Sequence, residues 1–337
     1  MTIGRGAAIF GCAGQVLTAQ EADFFRDYDP FGFIIFARNV ETPDQLRRLT
    51  GDLRRSVGRD APVLIDQEGG RVQRLRAPLW RDWDPPLDTV LRAGPQAARA
   101  MALRSMIIAA ELRAVGIDAN CAPVADIATA ATHPFLRNRC YGDDVDTVTD
   151  IARAVADAHL AMGVLPVIKH LPGHGRAMAD THHDLPTVTS SLAELTATDF
   201  TPFRALNDLP MAMTAHIIFS AIDPDYPATQ SRDMIRVIRD QIGFAGLLMT
   251  DDLNMNALAG NLSDRTSRSI AAGCDIALHC KGDLDEMIAV AAAAGDMTIA
   301  AQMRAQAALA QRKAPLAVDI AALEAEFSQA MGQGAHG

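Results

Sequence analysis

A short apolar run, a polar break rich in Gly, Asp and Pro, and a segment with apolar residues at helical spacing recur in that order along most of the chain. Eight apolar runs have the length of strands: residues 7–11, 32–36, 62–66, 117–123, 165–170, 211–216, 246–250 and 275–279. The helical segments between and after them are 19–28, 43–57, 96–115, 145–162, 192–206, 233–242, 264–272 and 284–293. Their ends carry the expected chemistry. Thr42-Pro43 and Ser191 suit helix starts, while Gly116, Gly163, Gly243 and Gly273 stand where helices should stop. Strands that read as continuous apolar runs and alternate with helices imply a parallel sheet covered on its outside. Eight such units predict an α/β fold, a (β/α)8 TIM barrel, for which about 250 residues is typical. The barrel is expected to occupy about 5–295, with two extra C-terminal helices at about 296–332. No linker or low-complexity tract interrupts the chain, so one catalytic domain over 1–337 is expected.

In such a barrel, functional groups sit at the C-terminal ends of the strands and in the loops that follow. The third strand ends in Asp66-Gln67-Glu68-Gly69-Gly70-Arg71-Val72-Gln73-Arg74, and the fourth is followed by Asp126 and Arg139. The fifth runs through Lys169 and His170 into a long polar loop, the sixth ends in His216, and the seventh leads into Thr250-Asp251-Asp252. The strand starts show Pro62, Pro166 and Gly246, a bland rim by comparison. The loop after the fifth strand holds His170, His174, His182 and His183, four of the nine histidines, with Asp180 and Asp184. Titratable groups at that density are costly to assemble for packing alone, so this reads as the active-site loop. Adjacent strand residues face opposite ways, so of Asp251 and Asp252 one is the reaction candidate and the other bonds the following turn. The same alternation separates Lys169 from His170 unless the strand is already ending. Asp180 and His182 are two apart, a spacing at which a carboxylate can hold an imidazole and stabilise its protonated form, a dyad suited to general acid/base work. His174 reads as a loop-shaping residue, and His216 as either a satisfied rim histidine or a ligand contact. Of Asp66 and Glu68, one is expected to meet ligand and the other to pair with Arg71 or the turn. Trp80 and Trp83 are expected to pack their loop on the rim, with stacking on a ligand face as the alternative.

Charge and composition narrow the partners. A formal net charge of −10 without a long Lys/Arg run argues against nucleic acid or an anionic membrane surface. Five cysteines, odd in number and without CxxC spacing, read as reduced thiols, which favours a cytoplasmic protein. The first residues form an apolar run too short and glycine-broken for a signal peptide, and no window approaches a membrane span.

Three motifs occur together and in order: DQEGGRVQRL at the third strand, KHLPGHG followed four residues later by DTH at the fifth, and GLLMTDDLNM at the seventh. They resemble glycoside hydrolase family 3, in particular its compact bacterial β-N-acetylhexosaminidases of peptidoglycan recycling, over most of the chain. The resemblance implies that Asp251 is the nucleophile and that His182, supported by Asp180, is the acid/base. It implies sugar-binding roles for Asp66, Arg74, Arg139, Lys169 and His170. The chain departs from the family's pattern at Leu171, where Phe is common, at Thr181, where Ser is usual, and in the second histidine, His183; the Asp-X-His register selects His182. A retaining glycosidase needs a carboxylate nucleophile and an acid that later activates water, and a histidine titrating near neutrality can run both directions. The expected reaction is release of terminal β-linked N-acetylglucosamine from GlcNAc-1,6-anhydro-MurNAc-type muropeptides by a monomer, with no metal or other cofactor required. Two other classes are carried. A metal-dependent barrel hydrolase could use His170, His182, His216 and Asp251, but would leave GGRVQR and PGHG unexplained. A silent sugar-binding relative is opposed by the joint presence of Asp251 and His182. Within the family, a β-glucosidase or a phosphorylase remains open.

Overall fold

The computed structural model describes residues 2–177 and 185–333. The eight parallel strands of its barrel are β1 (Gly6–Phe10), β2 (Pro30–Ile35), β3 (Val63–Ile65), β4 (Ala119–Asn120), β5 (Leu165–Leu171), β6 (Met211–Thr214), β7 (Leu247–Asp252) and β8 (Ile276–His279). They close into a barrel in chain order, β8 returning to β1 through Ala8↔Ala277, Ile9↔Leu278 and Phe10↔His279. Every predicted strand is present. Nearly all strand residues are buried, because side chains of one parity fill the barrel and those of the other meet the helical ring. The shortest strand, β4, leaves the ladder where a side chain replaces backbone pairing: Asn120 Oδ1 accepts from Gln67 N at 3.0 Å, and its Nδ2 donates to Gln67 O at 3.2 Å.

The helices follow their sequence signals, with two corrections. Thr42 caps Pro43–Val57 by accepting from Gln45 N, and Ser191 caps Leu192–Ala197 in the same way. The predicted helix at 192–206 is broken at Thr198-Asp199 and resumes as Phe200–Ala205. Pro202 has no N–H to give to the Thr198 carbonyl, and the Asp199 carboxylate is taken by Arg176 Nε at 2.7 Å and by the Thr198 hydroxyl. The segment at 233–242 splits into Arg232–Arg236 and a π turn, Val237–Gln241. The pattern does not predict the helices Pro86–Ala93 and Pro134–Arg137, nor a parallel pair, Thr187–Val188 with Ile218–Phe219, in the loops after β5 and β6.

Two helices follow the barrel, Ile299–Ala310 and Ile320–Gln333, as expected. The second lies on Ala97–Ala114 and Pro86–Ala93, with Phe327 edge-on to Trp83 at 5.5 Å between ring centres. Trp83 is buried here, with the Arg104 guanidinium also over its ring. The strand starts are not chemically bland. Asp118, before β4, accepts from Arg54 (2.9 Å), Arg312 (2.5 Å) and Val63 N (2.8 Å). Asp275, before β8, accepts from Arg239 (2.7 Å), Arg304 (2.7 Å) and Leu248 N (2.9 Å). Each carboxylate ties strand starts to the surrounding helices, so charge at this end serves cohesion. Among the described residues no helix is long and apolar enough to cross a membrane.

Candidate active site

The C-terminal ends of the strands surround a cavity of about 270 Å³. Asp66, Arg74, Arg139, Lys169, His170 and Asp251 all line it, so residues nearly two hundred positions apart meet in one space. Asp180 and His182, with His183, lie outside the described residues. Apolar walls come from Phe36, Met213, Met255 and Leu278. Neither Trp80 nor Trp83 reaches it; that loop packs on the barrel instead.

Ion pairs organise one side of the cavity. Lys169 Nζ sits 2.9 Å from Asp66 Oδ1 and 2.5 Å from Glu68 Oε1. Arg74 Nη2 donates to Asp66 Oδ2 at 3.0 Å and its guanidinium lies over the Phe36 ring, 4.9 Å from the centre. Arg139 grips Glu68 with two parallel bonds, Nε to Oε2 at 2.9 Å and Nη2 to Oε1 at 2.8 Å, the geometry that makes guanidinium–carboxylate pairs strong. One of Asp66 and Glu68 was expected to pair with Arg71 or the turn. Neither bonds Arg71 through its carboxylate, Glu68 joining Lys169 and Arg139, while Arg71 lies over the Phe135 ring and donates to the Phe135 carbonyl at 2.5 Å. The DQEGG turn is fixed from below by fully buried Arg104, whose Nη2 donates to the Glu68 carbonyl at 2.6 Å. Gly69 stands where a Cβ would collide with that guanidinium at 1.7 Å.

Electrostatics follow from this pairing. Burial disfavours the charge on Lys169, but Asp66 and Glu68 outweigh it and hold the ammonium protonated far above neutrality. Burial likewise opposes Asp66 and Glu68, yet Lys169 with Arg74, and Arg139 with Lys169, keep both carboxyls well below the usual range. The cluster presents fixed charged donors and acceptors to the cavity, a surface matched to a polyhydroxylated ligand.

Lys169 and His170 both line the cavity, at a point where the pairing of β5 with β6 shifts register between Ile168 and Leu171. His170 Nδ1 is 2.7 Å from Asp126 Oδ2, and its Nε2 is 3.4 Å from Arg139 Nη2. His174 is buried against it, ring centres 5.3 Å apart. Burial, then the neighbouring His170, pushes its pKa down to about 4, leaving it uncharged at neutrality.

At the end of β7, Asp251 accepts from the Asp252 N–H at 2.8 Å. Burial opposes its charge, but His216, His170, that N–H and Lys169 hold the carboxyl below its ordinary value. Asp252 differs. Its Oδ1 accepts from Asn254 N and Cys280 N, both at 3.2 Å, bonding the following turn and the end of β8. His216 lies behind the cavity wall with both nitrogens engaged, Nδ1 at 2.7 Å from Thr229 Oγ1 and Nε2 at 3.1 Å from the Asp252 carbonyl. It is a satisfied rim histidine that supports the end of β7. Among the described residues no three His, Cys, Asp or Glu side chains converge to hold a metal.

The family model described as "Glycosyl hydrolase family 3 N terminal domain" matches residues 15–311. The chain belongs to glycosyl hydrolase family 3. This family member is 35% identical over 286 residues to a protein named beta-hexosaminidase from Bordetella avium, covering 82% of this chain and 80% of the relative. It is 36% identical over 277 residues to one of the same name from Methylococcus capsulatus, covering 81% and 82%. Among solved structures, native NagZ from Neisseria gonorrhoeae superposes with a TM-score of 0.83 at 29% identity, covering 98% of this chain and 97% of that one. A family 3 beta-N-acetylglucosaminidase from Paenibacillus gives a TM-score of 0.85 at 26% identity, covering 96% of this chain and 67% of that one. The chain is therefore a glycoside hydrolase with the family's barrel.

Proposed function

We propose that this family 3 member is a retaining exo-β-N-acetylglucosaminidase that acts through a covalent glycosyl–Asp251 intermediate. The observation that carries the reading is an ionised, half-buried Asp251 at the end of β7, lining the same cavity as Asp66, Lys169 and Arg139 of the ion network. In the first step an Asp251 oxygen attacks C1 of the terminal sugar and the C1–O glycosidic bond breaks. His182, held by Asp180, gives its proton to the departing oxygen. In the second step water attacks C1, His182 takes the water proton, and the C1–Asp251 bond breaks with retention. Asp66 accepts from sugar hydroxyls, with Arg74, Arg139 and Lys169 as donors and His170 as a further contact. The names carried by the relatives favour N-acetylglucosamine over glucose as the released sugar. The natural substrates are proposed to be muropeptides of the GlcNAc-1,6-anhydro-MurNAc type, handled in the cytoplasm by a monomer.

The test is hydrolysis of paired nitrophenyl β-N-acetylglucosaminide and β-glucoside, with and without EDTA, by wild type and Asp251→Ala. Chelator-insensitive turnover of the acetamido sugar, lost by several orders of magnitude in the variant, is the expected result. Near wild-type turnover in Asp251→Ala would refute the nucleophile, and turnover abolished by EDTA would point to metal chemistry.

A further inference from the structure

One buried carboxylate behind the cavity governs two parts of it. Asp126 follows β4, is fully buried and does not itself line the cavity. Its Oδ2 lies 2.7 Å from His170 Nδ1, while Oδ1 accepts from the backbone N–H groups of His170 at 3.2 Å and His174 at 2.7 Å. Burial opposes its charge, but His170, their shared hydrogen bond and His174 hold the carboxyl below its ordinary value. An ionised carboxylate only accepts, so the proton between the two side chains sits on Nδ1. The other ring nitrogen, Nε2, lies 3.4 Å from Arg139 Nη2, a donor already fixed on Glu68. A proton on Nε2 would point at a guanidinium N–H, whereas a bare Nε2 is tolerated there, and 3.4 Å is too long a contact to take up its single lone pair, which stays available to a closer donor.

We propose that Asp126 is a positioning residue that fixes His170 as its Nδ1–H tautomer, so that Nε2 is presented as an acceptor to a sugar hydroxyl. The same carboxylate ties that imidazole to the start of the histidine loop at His174. This rests on the sugar-binding reading of the cavity. The segment after β4 holds the loop start at further points. Thr132 Oγ1 donates to the Gly175 carbonyl at 2.5 Å, and His133 N to the Ala177 carbonyl at 3.2 Å. Gly175 is pressed so closely on this segment that a Cβ would meet the Ile127 carbonyl oxygen at 1.7 Å. Asp126 is the point where the bed of the loop also touches the binding histidine.

Histidine-selective 15N labelling of the full chain at neutral pH reads the tautomer directly, with the His170 signals identified by their absence in His170→Asn. The expected spectrum has a protonated Nδ1 and a bare Nε2; protonated Nε2 beside bare Nδ1 in the wild type overturns the proposal. In Asp126→Asn the amide oxygen can keep the two backbone donors while its NH2 faces Nδ1, which must then accept. The tautomer should invert, and kcat/KM on the nitrophenyl acetamido sugar should fall on the order of 10–100-fold, mainly through KM, by analogy with the carboxylates that orient metal-binding imidazoles. A wild-type tautomer and KM in that variant also overturn the proposal. If the variant does not fold, the wild-type spectrum decides. A wild type with the expected spectrum but no activity on any glycoside would refute the glycosidase reading and leave the tautomer assignment standing.

Discussion

Asp252 sits beside the proposed nucleophile, yet the two carboxyls are pushed in opposite directions. Burial raises the Asp252 pKa to about 6, hydrogen bonds from Asn254 and Cys280 N–H groups work against this, and the charge of Asp251 adds to it. A carboxyl whose folded pKa lies above its unfolded value stabilises the fold fully below the unfolded value, about 3.9, and that contribution is lost as pH rises through 6. At pH 7 wild type therefore carries an unfavourable half-buried charge. Asp252→Asn keeps an acceptor for both N–H groups and should be more stable than wild type by about 1–2 kcal/mol at pH 7. The advantage should vanish below about pH 4, where Asp252 is protonated in both states. Thermal unfolding across this range checks it, and an advantage that persists at pH 3.5 would contradict the assignment.

At the scale of elements, the site was legible as far as its parts lie at strand ends. The motifs put Asp66, Lys169, His170 and Asp251 on the correct rim because strand ends are readable from apolar runs. The alternation rule anticipated that Asp251 and Asp252 would differ in role, and Asp252 does bond the following turn. What the sequence did not reveal were partnerships across elements. Glu68 with Arg139, and Asp126 with His170, are separated by 71 and 44 residues, and their pairing depends on how three loops fold over the rim. Lys169 and His170 line the same cavity although they are adjacent in β5, an irregularity that no local pattern announces. The ion network also makes a mechanical prediction. Lys169 joins the turn after β3 to β5, and removing it leaves Asp66 and Glu68 with only their arginines. Lys169→Ala should cost about 3 kcal/mol of folding stability, the lower end of the range for breaking a buried pair, because those arginines remain. Urea unfolding followed by tryptophan fluorescence measures it; a loss below about 0.5 kcal/mol would mean that the network does not hold the rim together.

The whole molecule divides its charge by end. At the strand starts, Asp118 and Asp275 each accept hydrogen bonds from two arginines and serve cohesion, while at the strand ends the paired groups line a cavity. The C-terminal helix belongs to the first kind of function. Phe327 on Trp83, with Arg81 bonded to Glu324 and Arg99 to Glu326, fastens it to the outside of the barrel away from the cavity. Phe327→Ala should lower stability by about 2 kcal/mol, less than a fully buried phenylalanine would, and leave kcat/KM unchanged. Denaturant unfolding beside steady-state kinetics checks both halves, and a fall in kcat/KM at full stability would link this helix to the site. Barrel closure and the two trailing helices were readable from the repeat of apolar runs and helical segments, since eight such units have few other ways to bury their faces. The split helices and short connecting elements were not, because single residues such as Pro202 decide them.

The central claim is that the sugar is carried on Asp251. A fluorinated N-acetylglucosaminyl donor with a good leaving group, which slows the second step more than the first, should inactivate the enzyme with time. Proteolysis and mass spectrometry should then find one sugar on the peptide containing Asp251. Label on any other residue, or turnover giving the inverted anomer with no adduct at all, would contradict the covalent mechanism.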